Sequence, residues 1–230
     1  MSYSPRIVYR QGDHVCTLFS TPEEQLEAAV EYINAGLGRG ERCLYVCCEH
    51  DIPEFRAALQ HAGFDVASEE ERGALVLLTR HHGHLKGGSF DPDKMISMLH
   101  LAVEDALAAG FAGLCAAGDM SWLLDEAPGS ERAAEYEARL NHFYKTHRAL
   151  GLCQYNRNKL PDAALANGIA THPYIRMEGP ILLKNPFYEP PEQAAKRKIR
   201  PNEGHRKLRE IESAYAGSRD RARGMQETGH

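Results

Sequence analysis

Short apolar runs alternate along the chain with segments in which apolar residues recur every three or four positions. The apolar runs predict β-strands at 14–19, 42–47, 74–79, 112–117 and 150–155. The segments with helical spacing predict helices at 22–36, 53–62, 92–109, 130–148 and 161–168. Residues 173–184 predict one or two further strands. Such alternation is typical of a mostly parallel sheet with helices on both faces, a three-layer α/β fold.

Ligands of such folds bind beyond the carboxyl ends of the parallel strands. This rule selects the loops at 20–21, 48–51, 80–88, 118–122 and 156–159. We therefore expect one crevice, lined by side chains from several of these loops.

The domain is predicted to span 1–188, followed by a charged, helical or disordered tail at 189–230. Leu208, Ile211 and Tyr215 have the spacing of a helix that docks on the domain or on a second subunit. Residues 217–230 are predicted to be disordered. The basic run from Lys196 to Arg200 is interpreted as a solvated linker rather than a nucleic-acid contact.

Composition narrows the class of protein. The net charge is −5. The tail contains ten Lys/Arg and seven Asp/Glu, so the rest of the chain contains 17 Lys/Arg and 25 Asp/Glu. Nucleic-acid binding is therefore not expected. No apolar run approaches the roughly 18 residues of a membrane span, and the first residues have no signal-peptide core. A cytoplasmic protein is expected, and its six cysteines, without a C-x-x-C pair, are expected to be free.

The segment from Cys16 to Gln25 has the strand–loop–helix setting of a phosphate-binding loop. It lacks the glycines and the lysine that such a loop needs. Glu23 and Glu24 stand where a phosphate would lie, and their carboxylates would repel it. We predict a nucleotide-binding scaffold that has lost its phosphate loop and does not bind ATP.

Residues 16–66 resemble the opening of the RecA-like, KaiC-like ATPases. Over roughly 13–185 the chain is similar to the MEDS family, the sensory domain of methanogen and methylotroph regulators. The similarity rests on His14, Gly36-Leu37, Gly40-Glu41, Gly63-Phe64-Asp65, Gly73, Phe90-Asp91-Pro92, Gly118 to Trp122, Tyr136 to Asn141, Cys153 to Asn156 and His172-Pro173. Asp119, where the family favours Glu, and the histidines at 81–84 depart from its pattern. The resemblance implies a sensor of small hydrocarbon derivatives that signals to attached output modules.

Polar and aromatic side chains in the strand-end loops and on the 130–148 helix are the candidate ligand-binding residues. They are Ser20, Thr21, Glu49, His50, His82, Asp119, Met120, Trp122, Glu137, Tyr155 and Asn156. Trp122 forms a pocket wall or caps the core, and Glu137 with Asn141 forms a polar stripe at the crevice or a solvated helix face. His14 and His172 rank lower, as side chains that bond to backbone at an edge.

His81, His82 and His84 form the alternative, a zinc or other divalent-metal site, although their spacing matches no standard ligand pattern. No catalytic residue and no cofactor are expected. The predicted function is non-catalytic sensing of a small molecule, with a homodimer or a separate protein as signalling partner. The alternatives are a metal-dependent hydrolase that uses the histidine cluster, a residual ATPase, and a protein-interaction scaffold.

Overall fold

The computed structural model describes residues 7–48, 51–179, 181–194 and 197–227. Its strands are β1 (His14–Phe19), β2 (Arg42–Cys47), β3 (Leu75–Thr79), β4 (Leu114–Asp119), β5 (Ala149–Asn156), β6 (Tyr174–Arg176) and β7 (Leu182–Lys184). Its helices are α1 (Pro22–Gly38), α2 (Ile52–His61), α3 (Val66–Glu71), α4 (Pro92–Ala108), α5 (Ala133–Thr146), α6 (Asp162–Thr171), α7 (Pro191–Ala194) and α8 (Glu203–Glu227).

The strands form one sheet in the order β3-β2-β4-β5-β1-β6-β7. All neighbours are parallel except β6 and β7, which pair antiparallel. The predicted mostly parallel α/β sheet is therefore confirmed. β4 begins two residues later than predicted, because Phe111 belongs to the turn that ends α4 and donates its backbone N–H to the carbonyl of Ala106 at 3.0 Å.

The two faces of the sheet bury separate cores. In β5, Leu150 and Leu152 point to the face covered by α1, α2 and α3, whereas Cys153 and Tyr155 point to the face covered by α4, α5 and α6. Successive strand residues face opposite sides, so a strand buried on both faces reads as a continuous apolar run. This arrangement gives the expected three layers.

Helix α1 lies close to the sheet at Gly36. An added Cβ there would be 2.7 Å from the sulfur atoms of both Cys43 and Cys115. No residue larger than glycine fits without movement of the sheet or the helix. Gly38, two residues later in the same helix, has open space around its Cα.

Several short elements had no counterpart in the sequence prediction. Helices α3 and α7 are new, as is a 3₁₀ turn from Met120 to Asp125. The predicted helix at 130–148 begins with another 3₁₀ turn, Ser130–Arg132, before α5 starts at Ala133.

Helix α8 of the C-terminal segment packs against α6 of the domain. Leu208, Ile211 and Tyr215 are buried, and the Tyr215 hydroxyl donates to the carbonyls of Glu178 and Ile181 at 2.6 and 3.0 Å. Helix α8 continues to Glu227, so the prediction of disorder is wrong for 217–227. The division into a domain of 1–188 and a tail of 189–230 stays a prediction.

The interpretation of the basic run as a solvated linker is wrong for Arg197. Its side chain is 6% exposed and forms ion pairs with Glu189, at 2.8 Å, and with Glu203. These pairs join the segment before α8 to Glu189 and to the first residue of α8. Across the described ranges, none of the helices combines the length and the apolar character needed to cross a membrane.

We expect Gly36→Ala to destabilise the protein and Gly38→Ala not to. The methyl group at 36 overpacks the contact with the sheet, which costs about 1–3 kcal/mol. At 38 the same change only improves helix propensity, by up to about 1 kcal/mol. Urea denaturation of both variants checks this, and equal free energies of unfolding would contradict the close approach.

We expect Ile211→Ala to lower the free energy of unfolding by about 2–4 kcal/mol, because it removes buried side-chain volume between α8 and α6. Arg209→Ala, on the exposed side of the same helix, is the control and should change stability by less than about 0.5 kcal/mol. Thermal and urea unfolding measure both. Similar small effects would mean that α8 does not dock in solution.

Candidate functional site

The ends of β2 and β4 bring one group of polar residues together, as the strand-end rule predicts. The Asp119 carboxylate accepts hydrogen bonds from the backbone and the hydroxyl of Ser121, at 3.0 and 2.6 Å. The Cys48 thiol lies 3.5 Å from the same carboxylate, and Asp51 lies near both residues. The candidates Glu49 and His50 fall outside the described residues.

The candidates that follow β1 and β5 stabilise turns. Thr21 caps α1 by accepting the backbone N–H of Glu24 at 3.3 Å. The Ser20 hydroxyl accepts a hydrogen bond from Arg157. Asn156 accepts the backbone N–H groups of the two residues 158 and 159 at 3.0 Å each. These bonds give each side chain a structural role.

Met120 and Trp122 lie in the core and not at an open crevice. Both side chains are fully buried. The Trp122 ring stacks on His84 at 5.2 Å and packs on Phe90 at 4.4 Å, measured between ring centroids. The 3₁₀ turn after β4 directs the indole inward. Of the two predicted positions for Trp122, a pocket wall or a cap on the core, the structure shows the position in the core.

The histidines at 81–84 do not converge. His84 is buried beside Trp122, whereas His81 and His82 are exposed and the His82 ring pairs with the Thr79 hydroxyl at 2.8 Å. Within the described ranges, these three side chains do not form a group of potential metal ligands. A larger depression of about 600 Å³ lies next to this loop on α4. Its wall combines Met95, Met98 and Leu101 with charged residues such as Lys86, Asp93 and Lys94.

A cavity of about 250 Å³ lies between α5 and α6. Alanines at 133, 134, 163 and 164 form much of its wall, and Glu137 and Tyr155 also line it. Glu137 is only 2% exposed. Its neighbour Asn141, one helical turn later, is equally buried, so the interpretation of this stripe as a solvated helix face is wrong.

Glu137 belongs to a buried cluster with His14, Cys153 and His172. Its Oε2 lies 3.3 Å from Nε2 of His14 and 3.3 Å from Nε2 of His172. The Cys153 sulfur lies 3.6 Å from the same oxygen and 3.6 Å from Nε2 of His14. One ligand atom from each of the four residues lies within 4.8 Å of the others. The two imidazole rings are 3.9 Å apart between centroids.

The outer nitrogens of both imidazoles face hydrogen-bond acceptors. Nδ1 of His172 is 2.7 Å from the backbone carbonyl of Gly168. Nδ1 of His14 is 3.3 Å from the Asn141 side-chain oxygen, while the Asn141 amide donates to the carbonyls of Glu137 and Thr171 at 3.2 and 2.6 Å. Each Nδ1 therefore carries the proton, and each Nε2 presents a lone pair to Glu137.

Burial is the main cause of the pKa shifts in this cluster. It lowers the pKa of His14 to about 3, and it lowers that of His172 to about 3 with a smaller contribution from His14. Burial also raises the pKa of the Glu137 carboxyl, although His172, Tyr155 and Cys153 act in the opposite direction. It raises the pKa of the Cys153 thiol, and nearby Glu137 raises it further. Burial therefore disfavours the charged form of each of these four groups.

Residues 13–173 match the family model described as MEDS: MEthanogen/methylotroph, DcmR Sensory domain. The chain belongs to the MEDS family. Its fold is similar to the crystal structure of a KaiC-like protein from the hyperthermophilic archaeon Pyrococcus horikoshii OT3, with a TM-score of 0.53. The two share 14% identity over 73% of this chain and 71% of that one, which supports the RecA-like fold alone. Comparison with curated proteins gave no significant match.

The buried cluster is built from segments that carry the resemblance to MEDS domains. These segments lie far apart in the sequence: His14, the stretch 136–141, the stretch 153–156 and His172. Sequence reasoning singled out Glu137 and Tyr155 but ranked His14 and His172 below the strand-end loops. It treated Cys153 as one of six free cysteines. The sequence did contain a signal for the cluster. His14, Cys153 and His172 each lie inside or beside an apolar strand.

His84 makes stability depend on pH in a predictable direction. Burial lowers its pKa from the ordinary value of 6.5 to about 4. The unfolded chain therefore binds one more proton than the native protein between these values, and stability falls as the pH falls through this window. The contribution of His84 is at most about 1.4 kcal/mol per pH unit.

We expect the His84→Leu variant to lose less stability than the wild type when the pH is lowered from 6.5 to 4.5. Urea denaturation at intervals of half a pH unit gives the slope for both proteins, and the slope is the readout whatever the absolute stability of the variant. His14 and His172 contribute equally to both proteins and cancel. Parallel pH profiles would contradict a neutral, buried His84.

Proposed function

We propose that this MEDS domain detects a small, largely apolar molecule that carries a polar group, in the cavity between α5 and α6, and does not transform it chemically. The observation that carries the proposal is the cavity itself. It combines alanine walls with a buried carboxyl group and the buried Tyr155. Such a combination suits a hydrocarbon-derived ligand, whose chain contacts the wall and whose polar group contacts Glu137.

The size of the cavity limits the ligand. A volume of about 250 Å³ corresponds to roughly eight water molecules, since each occupies about 30 Å³ in the liquid. Pockets for drug-sized molecules begin at about 300 Å³. The ligand is therefore a compound of a few carbon atoms rather than a nucleotide or a peptide.

The buried end of the cavity favours a hydrogen-bond donor on the ligand. Oε1 of Glu137 is buried and has no hydrogen-bond partner in the described part of the chain. An unpaired buried acceptor costs about 1–3 kcal/mol. A ligand hydroxyl or amine that donates to this oxygen recovers that free energy, whereas a plain hydrocarbon does not. We therefore expect a polar derivative to bind more tightly than the matching alkane.

ATP is a less well supported ligand. The place of a phosphate loop is the turn before α1, where the Glu24 carboxylate accepts the Ser20 backbone N–H at 2.6 Å and Thr21 accepts the Glu24 backbone N–H. Two of the N–H groups that would bind phosphate are thus already paired, one of them with a negative charge. A hydrolase built on His81, His82 and His84 is also less well supported, because these side chains point to different environments.

Helix α6 gives the cavity a route to a signalling partner. It forms one wall of the cavity and also packs against α8. At the start of this contact, the Asp162 carboxylate accepts hydrogen bonds from the backbone and the ring of His205, at 2.9 and 2.6 Å. We propose that a displacement of α6 on ligand binding changes the position of α8. The homodimer predicted from the sequence remains a prediction.

Cavity filling tests the proposal. The Ala164→Phe variant places a ring in the cavity, and Ala57→Phe makes the same change at an exposed position of α2. A panel of one- to four-carbon alkanes, alcohols, amines, halides and carboxylates is screened by ligand-observed NMR. We expect at least one polar class to bind the wild type and Ala57→Phe and to bind Ala164→Phe at least about tenfold more weakly.

The same samples test the absence of chemistry, because a sensed ligand is recovered unchanged after prolonged incubation. Failure of every class to bind the wild type would contradict the proposal. So would equal binding to both phenylalanine variants when circular dichroism shows that both are folded.

A further inference from the structure

We infer that His14, Glu137, Cys153 and His172 form a tetrahedral binding site for a divalent metal ion of the zinc class. The inference goes beyond the sensing function and stands apart from the histidine-rich loop at 81–84. It rests on four independent features of the cluster: donor type, spacing, orientation of the donors, and charge.

The donor set is typical of zinc. Two imidazole nitrogens, one sulfur and one carboxylate oxygen are the ligands that zinc sites use, whereas calcium and magnesium require six or more oxygen ligands or several waters. A thiolate among the ligands also favours zinc over harder cations.

The spacing of the donors fits one ion at their centre. Tetrahedral zinc with bonds of about 2.0–2.1 Å to nitrogen and oxygen and about 2.3 Å to sulfur places two N/O ligands about 3.3 Å apart and a sulfur about 3.6 Å from either. The cluster shows 3.3 Å for both histidine nitrogens to the Glu137 oxygen, and 3.6 Å for the Cys153 sulfur to the Glu137 oxygen and to Nε2 of His14. Four edges of the tetrahedron therefore already have the required length.

The orientation of the donors calls for a cation. Both Nε2 lone pairs point to the same carboxylate oxygen, because both Nδ1 protons are used by Asn141 and Gly168. A proton on Glu137 satisfies only one of the two nitrogens, and Nε2 of His172 has no hydrogen-bond partner in the described structure. A metal ion at the centre accepts both lone pairs at once. An acceptor behind each metal-binding histidine is also the usual arrangement, since it fixes the tautomer and the ring.

The charge of the occupied site is zero. A divalent ion with one thiolate, one carboxylate and two neutral imidazoles carries no net charge, so the complex can be buried without a further counter-ion. Binding releases the thiol proton of Cys153, together with the carboxyl proton of Glu137 where the metal-free site holds one, and the affinity therefore rises with pH.

Cobalt is the probe for this site, because tetrahedral Co²⁺ bound to a thiolate is coloured. The purified full chain is dialysed against a chelator and titrated with Co²⁺, and then with Zn²⁺ in competition. We expect one equivalent of Co²⁺ per chain, intense tetrahedral ligand-field absorption and a sulfur-to-cobalt charge-transfer band, all displaced by one equivalent of Zn²⁺.

Three variants locate the site. Cys153→Ser should remove the charge-transfer band and weaken binding by more than about 100-fold, since changes to supporting residues alone cost about 10- to 100-fold. Cys115→Ser changes another buried cysteine, on the opposite face of the sheet. It should leave the charge-transfer band and the affinity for Co²⁺ unchanged. His82→Ala should also leave both unchanged, which separates this site from the histidine-rich loop.

Thermal unfolding supplies a second readout. Zn²⁺ in excess should raise the melting temperature of the wild type and of Cys115→Ser, but not that of Cys153→Ser, because a ligand stabilises only the state that binds it. Three results would overturn the inference: a folded wild type that takes up no stoichiometric Co²⁺, bound Co²⁺ without a thiolate band, or binding lost in His82→Ala. If Cys153→Ser fails to fold, the wild-type spectrum and stoichiometry still decide the matter.

Discussion

Burial of a carboxyl group at the centre of the domain is the constraint on which the site depends. Glu137 is nearly inaccessible to solvent, and a lone carboxylate in such a place has a prohibitive desolvation cost. Around it the fold places two imidazoles and a thiol, which come from β1, from β5 and from the connection after α6. The surrounding polar groups, Asn141 and the carbonyl of Gly168, hold these rings in one tautomer. The cluster is thus a polar site among the buried apolar residues of this face of the sheet.

The fold could be predicted from the sequence because its strands are continuous apolar runs. The bounds of β1 and β2 agree with the prediction to the residue, and the order of strands and helices is as expected. Helix α3 was missed because Val66 is the only buried side chain of its single turn and a half. The C-terminal part of α8 was predicted to be disordered, because its polar composition resembles that of a disordered tail, while three apolar residues anchor the helix.

The site was predicted only in part, and the reason is physical. Periodicity along the chain reports the face on which a side chain lies, but it does not report which distant side chain lies opposite. Glu137 and Asn141 are neighbours on one helix and were found together, whereas the contacts of His14 with Asn141 and Cys153 join residues 127 and 139 positions apart. Trp122 shows the converse error, because a 3₁₀ turn directs a strand-end residue away from the crevice and into the core.

The separation of these contacts along the chain has a consequence for synthesis. His14 is among the first residues of the domain to leave the ribosome, and His172 follows only after β5 and α6 have been made. Closing a loop of this length is slow, because its entropy cost is offset only when the distant partner is present to form the contact. A nascent chain that ends before α6 cannot assemble the cluster, because His172, one of its four members, follows α6.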